Sequence, residues 1–168
     1  MQPNRFAAAL VAVGLLLPVC NGQEGGWADY QRRTLQSVID AHSGGVQRLD
    51  YLLSADSFPS QVELVYLGKT RRVSGKRMEL LRKWEKMAKR PVSVVELFET
   101  EVLFRERAVE HWLPVQKPLI PALQKEVKLG ETINSYVIFM GGAKQENRWE
   151  WIFAMNEFDA STRKAALH

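Results

Sequence analysis

The sequence predicts an α+β fold, a single small domain with a curved antiparallel sheet or open barrel of at least four strands, covered by an N-terminal helix and a basic amphipathic helix. Three observations predict it. Segments rich in β-branched and aromatic residues recur at 61–67, 94–105, 132–140 and 149–158. Between them lie stretches whose apolar residues repeat every three or four positions, the helical period. The last two strands carry apolar residues on both sides, so each face needs a cover that only the rest of the chain can supply.

Residues 1–22 are expected to be a signal peptide and not part of the fold. Arg5 is their only charge, and Phe6 to Val19 is almost wholly apolar yet shorter than the ~20 residues a membrane-spanning helix needs. Cleavage after Gly22 would leave Cys20 and Gly22 at the two positions that demand small residues. A lesser reading makes Cys20 a lipid-modified first residue, supported by Leu17 and opposed by the bulk of Val19. Either way the expected location is exported, periplasmic or secreted. Cys20 is the only cysteine, so neither a disulfide framework nor a thiolate metal site is available to the remainder. That remainder, 23–159, has the size of one ordinary domain, and 160–168 has little to pack and is expected to fray.

Trp27, Tyr30, Leu35, Val38, Ile39 and His42 form one apolar stripe, a helix ended by Gly44 and Gly45. Val46 to Ser54 suits a helical turn or two without declaring itself, and Ser54 to Ser60 reads as a loop. Gln61 to Leu67 is the first strand, stopped by Gly68. Leu119 to Lys128 is a short Pro-interrupted helix ending at Gly130. The strand from Thr132 stops at the Gly141 and Gly142 breaker, and the polar Gly141–Arg148 segment makes a hairpin loop longer than the tight two-residue kind. In the final strand Trp149, Trp151, Phe153 and Met155 share one face and Ile152, Ala154 and Phe158 the other.

The charge distribution is uneven. Between Lys69 and Arg90 there are ten basic and two acidic residues, a surplus of eight against +4 for the whole chain, so the remainder is net acidic. Ser74 can cap a helix from Gly75 to about Arg90, stopped by Pro91. On it Leu80, Leu81, Trp84, Met87 and Ala88 fall on one side, and Arg82, Lys83, Lys86, Lys89 and Arg90 on the other. Such a strip either attracts phosphate-rich material or is the solvated back of a helix docked through Leu80, Leu81 and Trp84. The Arg71 to Ser74 run has the look of a basic-directed kinase site, of little meaning in an exported chain.

Chemistry-bearing residues are few. Glu99 and Glu101 share a strand face with Arg105, a spacing that suits acid and base steps or a hard cation, or a solvated face with an ion pair. His111 before Trp112 and Pro114 could act as a base with Glu99 or Glu101 in a small hydrolase-like enzyme, or sit half-buried in a turn. Arg148 and Trp149 could form an exposed aromatic contact, although core packing is the commoner use of tryptophan. No G-x-G-x-x-G, phosphate-cradling loop, H-E-x-x-H, C-x-x-C, G-x-S-x-G or internal repeat occurs. In leader and composition the chain resembles small exported bacterial proteins, a resemblance that licenses no site.

The reading that follows is an exported, non-enzymatic binding or envelope-associated protein without cofactor, metal or catalytic residues, with the hydrolase as the alternative. Its expected partner is anionic lipid or another envelope component, with a protein partner second and nucleic acid disfavoured by export. Nothing in the residues indicates an oligomeric state.

Overall fold

A computed structural model describes residues 29–44, 46–55, 58–89 and 93–159. The expected signal peptide 1–22 with Cys20, the expected helix start at Trp27, Arg90, and the expected frayed tail 160–168 therefore lie outside the described residues. Among those described, a short strand β1 (Gln31–Arg32) precedes helix α1 (Leu35–His42), a 3₁₀ turn at Val46–Arg48 and β2 (Tyr51–Leu53). The long β3 (Ser60–Arg72) leads into α2 (Gly75–Ala88), a single helical turn α3 (Val94–Leu97), β4 (Thr100–Glu106) and β5 (Val109–Val115). Then come α4 (Leu119–Glu126) and the longest strands, β6 (Thr132–Gln145) and β7 (Arg148–Asp159). The fold is mixed α+β.

One seven-stranded sheet has the order β1-β3-β4-β5-β7-β6-β2, and an additional β3–β6 pairing links β3, β4, β5, β7 and β6 into a ring. Only β1–β3 and β5–β7 run parallel. β3 can serve two neighbours because it bends. Its first half pairs with β6 from Ser60↔Val137 to Val65↔Thr132, and its second half pairs with β4 after a register shift between Tyr66 and Thr70. Gly68 supplies the bend with φ +73, a conformation that favours glycine.

Side chains alternate between a filled interior and an outer face. Inside, Val62, Leu64 and Tyr66 of β3 meet Val102 and Phe104 of β4, Leu113 and Val115 of β5, Ile133, Val137 and Phe139 of β6, and Phe153 and Met155 of β7. Leu35 and Val38 of α1 and Leu123 of α4 join the same cluster. A second cluster lies outside the β6–β7 pair, where Leu80, Leu81 and Trp84 of α2 and Val94 of α3 pack on Ile138, Met140, Ala143, Ile152 and Ala154. Trp84 donates its indole N–H to the Ser54 carbonyl at 3.1 Å, so its one polar group is satisfied in a buried position.

Several expectations need correction. The predicted 94–105 strand is divided: Ser93 accepts the Glu96 N–H and caps a helical turn through Leu97, and extended chain starts only at Thr100. β5 has no counterpart in the reading, which put His111 in a turn. The helix expected from Trp27 starts, within the described residues, at Leu35, capped by Thr34 in a reciprocal bond with Ser37. Gly141 and Gly142 do not end β6. Gly141 takes φ +131 at a register shift between Phe139 and Gly141, and the strand continues to Gln145. The hairpin loop is consequently the tight two-residue kind, Glu146 and Asn147 at φ +47 and +64, the pair of positive values that suits the twist of a hairpin. Phe158 lies with the interior cluster and not opposite Met155, because a register shift at the Tyr136 and Val137 pairings inserts one residue into β7.

Candidate functional site

The basic side of α2 is where the sequence placed its strongest electrostatic signal. Arg82, Lys83, Lys86 and Lys89 are exposed, and no ion pair ties any of them to a carboxylate among the described residues. Lys89 ends the helix in the left-handed conformation, φ +47. Met87, assigned to the apolar side from its angle on the helix, is 40 % exposed and sits among the lysines. Full burial of a side chain such as Leu80, Leu81 or Trp84 contributes about 2 kcal/mol, whereas an exposed ion pair contributes about 0–1 kcal/mol. Packing therefore holds α2, and its basic side is free to meet something else.

Tyr51 of β2 links that side to the sheet. Lys83 and Lys76 lie over its ring at 4.9 and 5.6 Å, and its hydroxyl donates to Glu79 one turn along α2. The hydrogen bond to the Glu79 carboxylate pushes the phenol pKa up to about 12.

Arg77 departs from its neighbours. It is basic like them but buried, 6 % exposed, and its guanidinium reaches three strands at once. It donates to the Glu101 carboxylate of β4 and, at 2.6 Å, to the Trp112 carbonyl of β5, and stands 3.6 Å from the Glu150 carboxylate of β7. Arg71 of β3 donates to the other oxygen of Glu101 at 2.7 Å and stacks over the Trp112 ring at 4.2 Å. Glu101, wholly buried, thus has an arginine on each oxygen.

The location explains the arrangement. β5 and β7 register at one position, Val115↔Met155, where Gln116 N–H also bonds the Met155 carbonyl. N-terminal to that point the two strands part. Alternate residues of a strand turn their backbone groups to the same edge, so Trp112, Pro114 and Gln116 all face this seam. Pro114, which has no N–H to offer, therefore costs the sheet no bond there. Arg77 closes the gap that the ladder leaves.

The acid and base candidates are separated by the sheet itself. Phe104↔His111 and Glu101↔Pro114 are cross-strand pairs, and the first lies on the interior face while the second faces out. His111 Nε2 is buried without a hydrogen-bond partner among the described residues, and burial lowers the imidazole pKa while Glu106 pulls it back. Glu106 itself is buried and accepts the Leu35 and Gln36 N–H groups at 2.7 and 3.1 Å, a carboxylate at the start of α1. Glu99, outside β4, accepts from Lys117 at 2.7 Å, which lowers its pKa. The two glutamates and His111 do not meet at one point.

Arg148 is exposed and Trp149 half-buried on β7, where Trp149 stacks on Trp151 with centroids 5.4 Å apart and planes at 22°. A shallow hollow of about 260 Å³ lies beside α1, lined by Arg33, Ser37, Val38, Ala41, His42 and Phe58, with His42 edge-on to Phe58. Among the described residues no group of three or more His, Cys, Asp or Glu is placed to hold a metal, and no helix is long and apolar enough to cross a membrane. Arg77 and the parting of β5 from β7 are what sequence reasoning missed; Glu101, a candidate acid or cation ligand in the sequence, is instead the buried partner of Arg71 and Arg77. The chain matches no protein-family model, no curated protein and no solved structure.

Proposed function

We propose that this is an exported, envelope-associated binding protein without catalytic activity, which uses the basic side of α2 to contact anionic lipid, either phospholipid or lipopolysaccharide. The observation that carries this is the exposure of Arg82, Lys83, Lys86 and Lys89 on a helix held by its opposite side. In this reading α1 and α2 act as covers of a curved sheet, residues 1–22 direct export to the periplasm or beyond, and Cys20 offers the lesser route of lipid anchoring. Export also selects lipid over nucleic acid as the anionic partner.

The test is co-sedimentation of the chain lacking its leader with phosphatidylglycerol-containing and with purely phosphatidylcholine vesicles, at low and at molar salt. Binding is expected to the anionic vesicles alone and to vanish in molar salt, where the Debye length is about 3 Å. Changing Lys83, Lys86 and Lys89 together to Gln removes about 1 kcal/mol each near a charged membrane, about a hundredfold in all. Equal sedimentation with both vesicle types, or an unaltered triple variant, would reject the reading. Repeating the assay with lipopolysaccharide-bearing vesicles separates the two lipid sources.

A further inference from the structure

The β6–β7 hairpin carries a second surface, on the side away from α2. β6 pairs with β3 only as far as Val137 and with β2 at Gly141 to Ala143, and the Lys144 N–H still donates to the Asp50 carbonyl at 2.8 Å, so beyond Lys144 the hairpin continues as two strands alone. Ala143, Ile152 and Ala154 face α2. Trp149 and Trp151 alternate to the opposite face, and their rings stack there.

Gly142, opposite Trp151 in the register, makes room for the stack. A Cβ on it would stand 2.8 Å from Trp151 Cε3 and 3.0 Å from Trp149 Cε3, so the indoles rest directly on glycine backbone. Trp151 continues inward to Phe139, with centroids 6.1 Å apart, and belongs to the core edge. Trp149 has only Trp151 as a ring partner among the described residues. One face of its indole is held, and among the described residues no further aromatic or cationic group stacks on the ring. Held on one side, the ring has little conformational freedom left to lose on binding.

The hairpin around Trp149 is polar. Lys144 stands opposite Trp149 in the register and Gln145, Glu146, Asn147 and Arg148 form the turn beside it, while Glu150 alternates to the other face and stands 3.6 Å from Arg77. The mixed signs of Lys144, Glu146 and Arg148 make this end different from the basic side of α2. A fixed indole face with donors and acceptors around it suits a ligand having an apolar face and a polar circumference.

We propose that Trp149 is the platform of a carbohydrate site, stacking on the C–H face of a pyranose ring in an uncharged glycan while the hairpin side chains bond its hydroxyls. C–H groups carry the partial positive charge that the negative face of an indole attracts. The site is independent of the lipid contact proposed for α2.

The experiment is a titration of the ¹⁵N-labelled chain with cellohexaose, maltohexaose and chitohexaose, following the indole N–H resonances. At least one hexasaccharide should shift the Trp149 resonance with saturation in the millimolar range or below, leaving that of Trp84, buried under α2, unmoved. Trp149→Leu keeps an apolar side chain without a ring face and should bind at least about tenfold more weakly, the scale of one lost ring stack. Trp149→Phe should stay within a few fold. No shift with any of the three sugars overturns the proposal, as does unchanged affinity in Trp149→Leu. If Trp149→Leu fails to fold, loss of more than about tenfold in the folded Trp149→Phe also overturns it, since phenyl retains the stacking face. Vesicle sedimentation of Trp149→Leu should equal that of the unaltered chain; a loss confined to vesicles would reassign Trp149 to a membrane interface.

Discussion

Replacing Arg77 by leucine tests whether the β5–β7 seam is held by charge. The side chain of Arg77 is 8 % exposed and that of its partner Glu101 1 %, so neither can fall back on water. Arg77→Leu leaves Glu101 with Arg71 alone, itself 43 % exposed, and leaves the Trp112 carbonyl without its donor. Removing one member of a buried pair costs about 3–5 kcal/mol, because the other charge stays desolvated. An orphaned carbonyl adds about 1 kcal/mol where water does not reach it. The expected loss is thus about 4 kcal/mol, a large part of the 5–15 kcal/mol that stabilises an ordinary domain.

The double variant Arg77→Leu with Glu101→Leu makes the reasoning falsifiable. With both charges gone no buried ion is stranded, since the partners they leave, Arg71 and Glu150, both reach water, and similar volumes of apolar side chain fill the site, so the double should be more stable than Arg77→Leu alone. A coupling of about 3 kcal/mol is expected between the two positions. Urea unfolding followed by far-ultraviolet circular dichroism measures all four species, a 4 kcal/mol loss moving the midpoint by about 2 M at an ordinary slope. Arg71→Leu serves as the exposed comparison and should cost about 1 kcal/mol or less. If Arg77→Leu costs no more than Arg71→Leu, or if the double loses the sum of the singles, Arg77 is not the closure of the seam.

Two further outcomes follow from local geometry. Gly141→Ala would set a Cβ 1.9 Å from the Leu52 carbonyl oxygen at φ +131, so β2 must leave β6; a loss above about 2 kcal/mol in the same unfolding assay is expected, and an unchanged midpoint would contradict the β2–β6 pairing. His111 is held neutral by burial, its folded pKa below the ordinary 6.5, so the unfolded chain binds more protons in the window between them. Stability should be full above about pH 6.5 and decline as pH falls from there toward the lowered value. In a thermal melt series from pH 7.5 to 5, His111→Phe should flatten the part of the decline that the histidine causes, and an identical slope in both chains would exclude it.

How much of this was legible in the chain follows the range of the interactions. α2 could be read because its pattern is local: Leu80, Leu81 and Trp84 recur at the helical period, and Ser74 and Pro91 bracket it. β6 and β7 could be read because Tyr136 to Phe139 and Trp149 to Phe153 are dense in strand-favouring residues. Their ends could not, since a glycine pair is an ordinary sign of a break, and only contact with β2 shows that Gly141 is needed for close backbone approach. β5 was hidden by its own composition. Val109, Glu110, His111 and Pro114 make a poor strand signal, and the proline in particular argues against a strand that is bonded on both edges.

The same proline connects the unread strand to the unread site. A β5 bonded along both edges would have needed an N–H at its sixth position, where Pro114 stands, so the proline is compatible only with a ring whose β5–β7 seam is incomplete. An incomplete seam exposes the Trp112 carbonyl, and a buried carbonyl needs a donor. Arg77 brings that donor from a helix whose Arg82 and Lys86 are exposed to water. Its charge in turn requires Glu101, which explains why a strand position facing outward is wholly buried and acidic. No window of the sequence contains all three residues, and Arg77 lies among ten basic residues that look alike by composition. What distinguishes it is its angle on α2, toward Leu80, Leu81 and Trp84 and away from Arg82, Lys83 and Lys86. The basic surplus of this segment is therefore divided: Arg77 and Arg71 hold Glu101 at the seam, Lys76 and Lys83 lie over the Tyr51 ring, and an outer strip with Arg82, Lys86 and Lys89 meets no carboxylate among the described residues. That division is the reason for assigning the strip, and not the whole segment, to a partner.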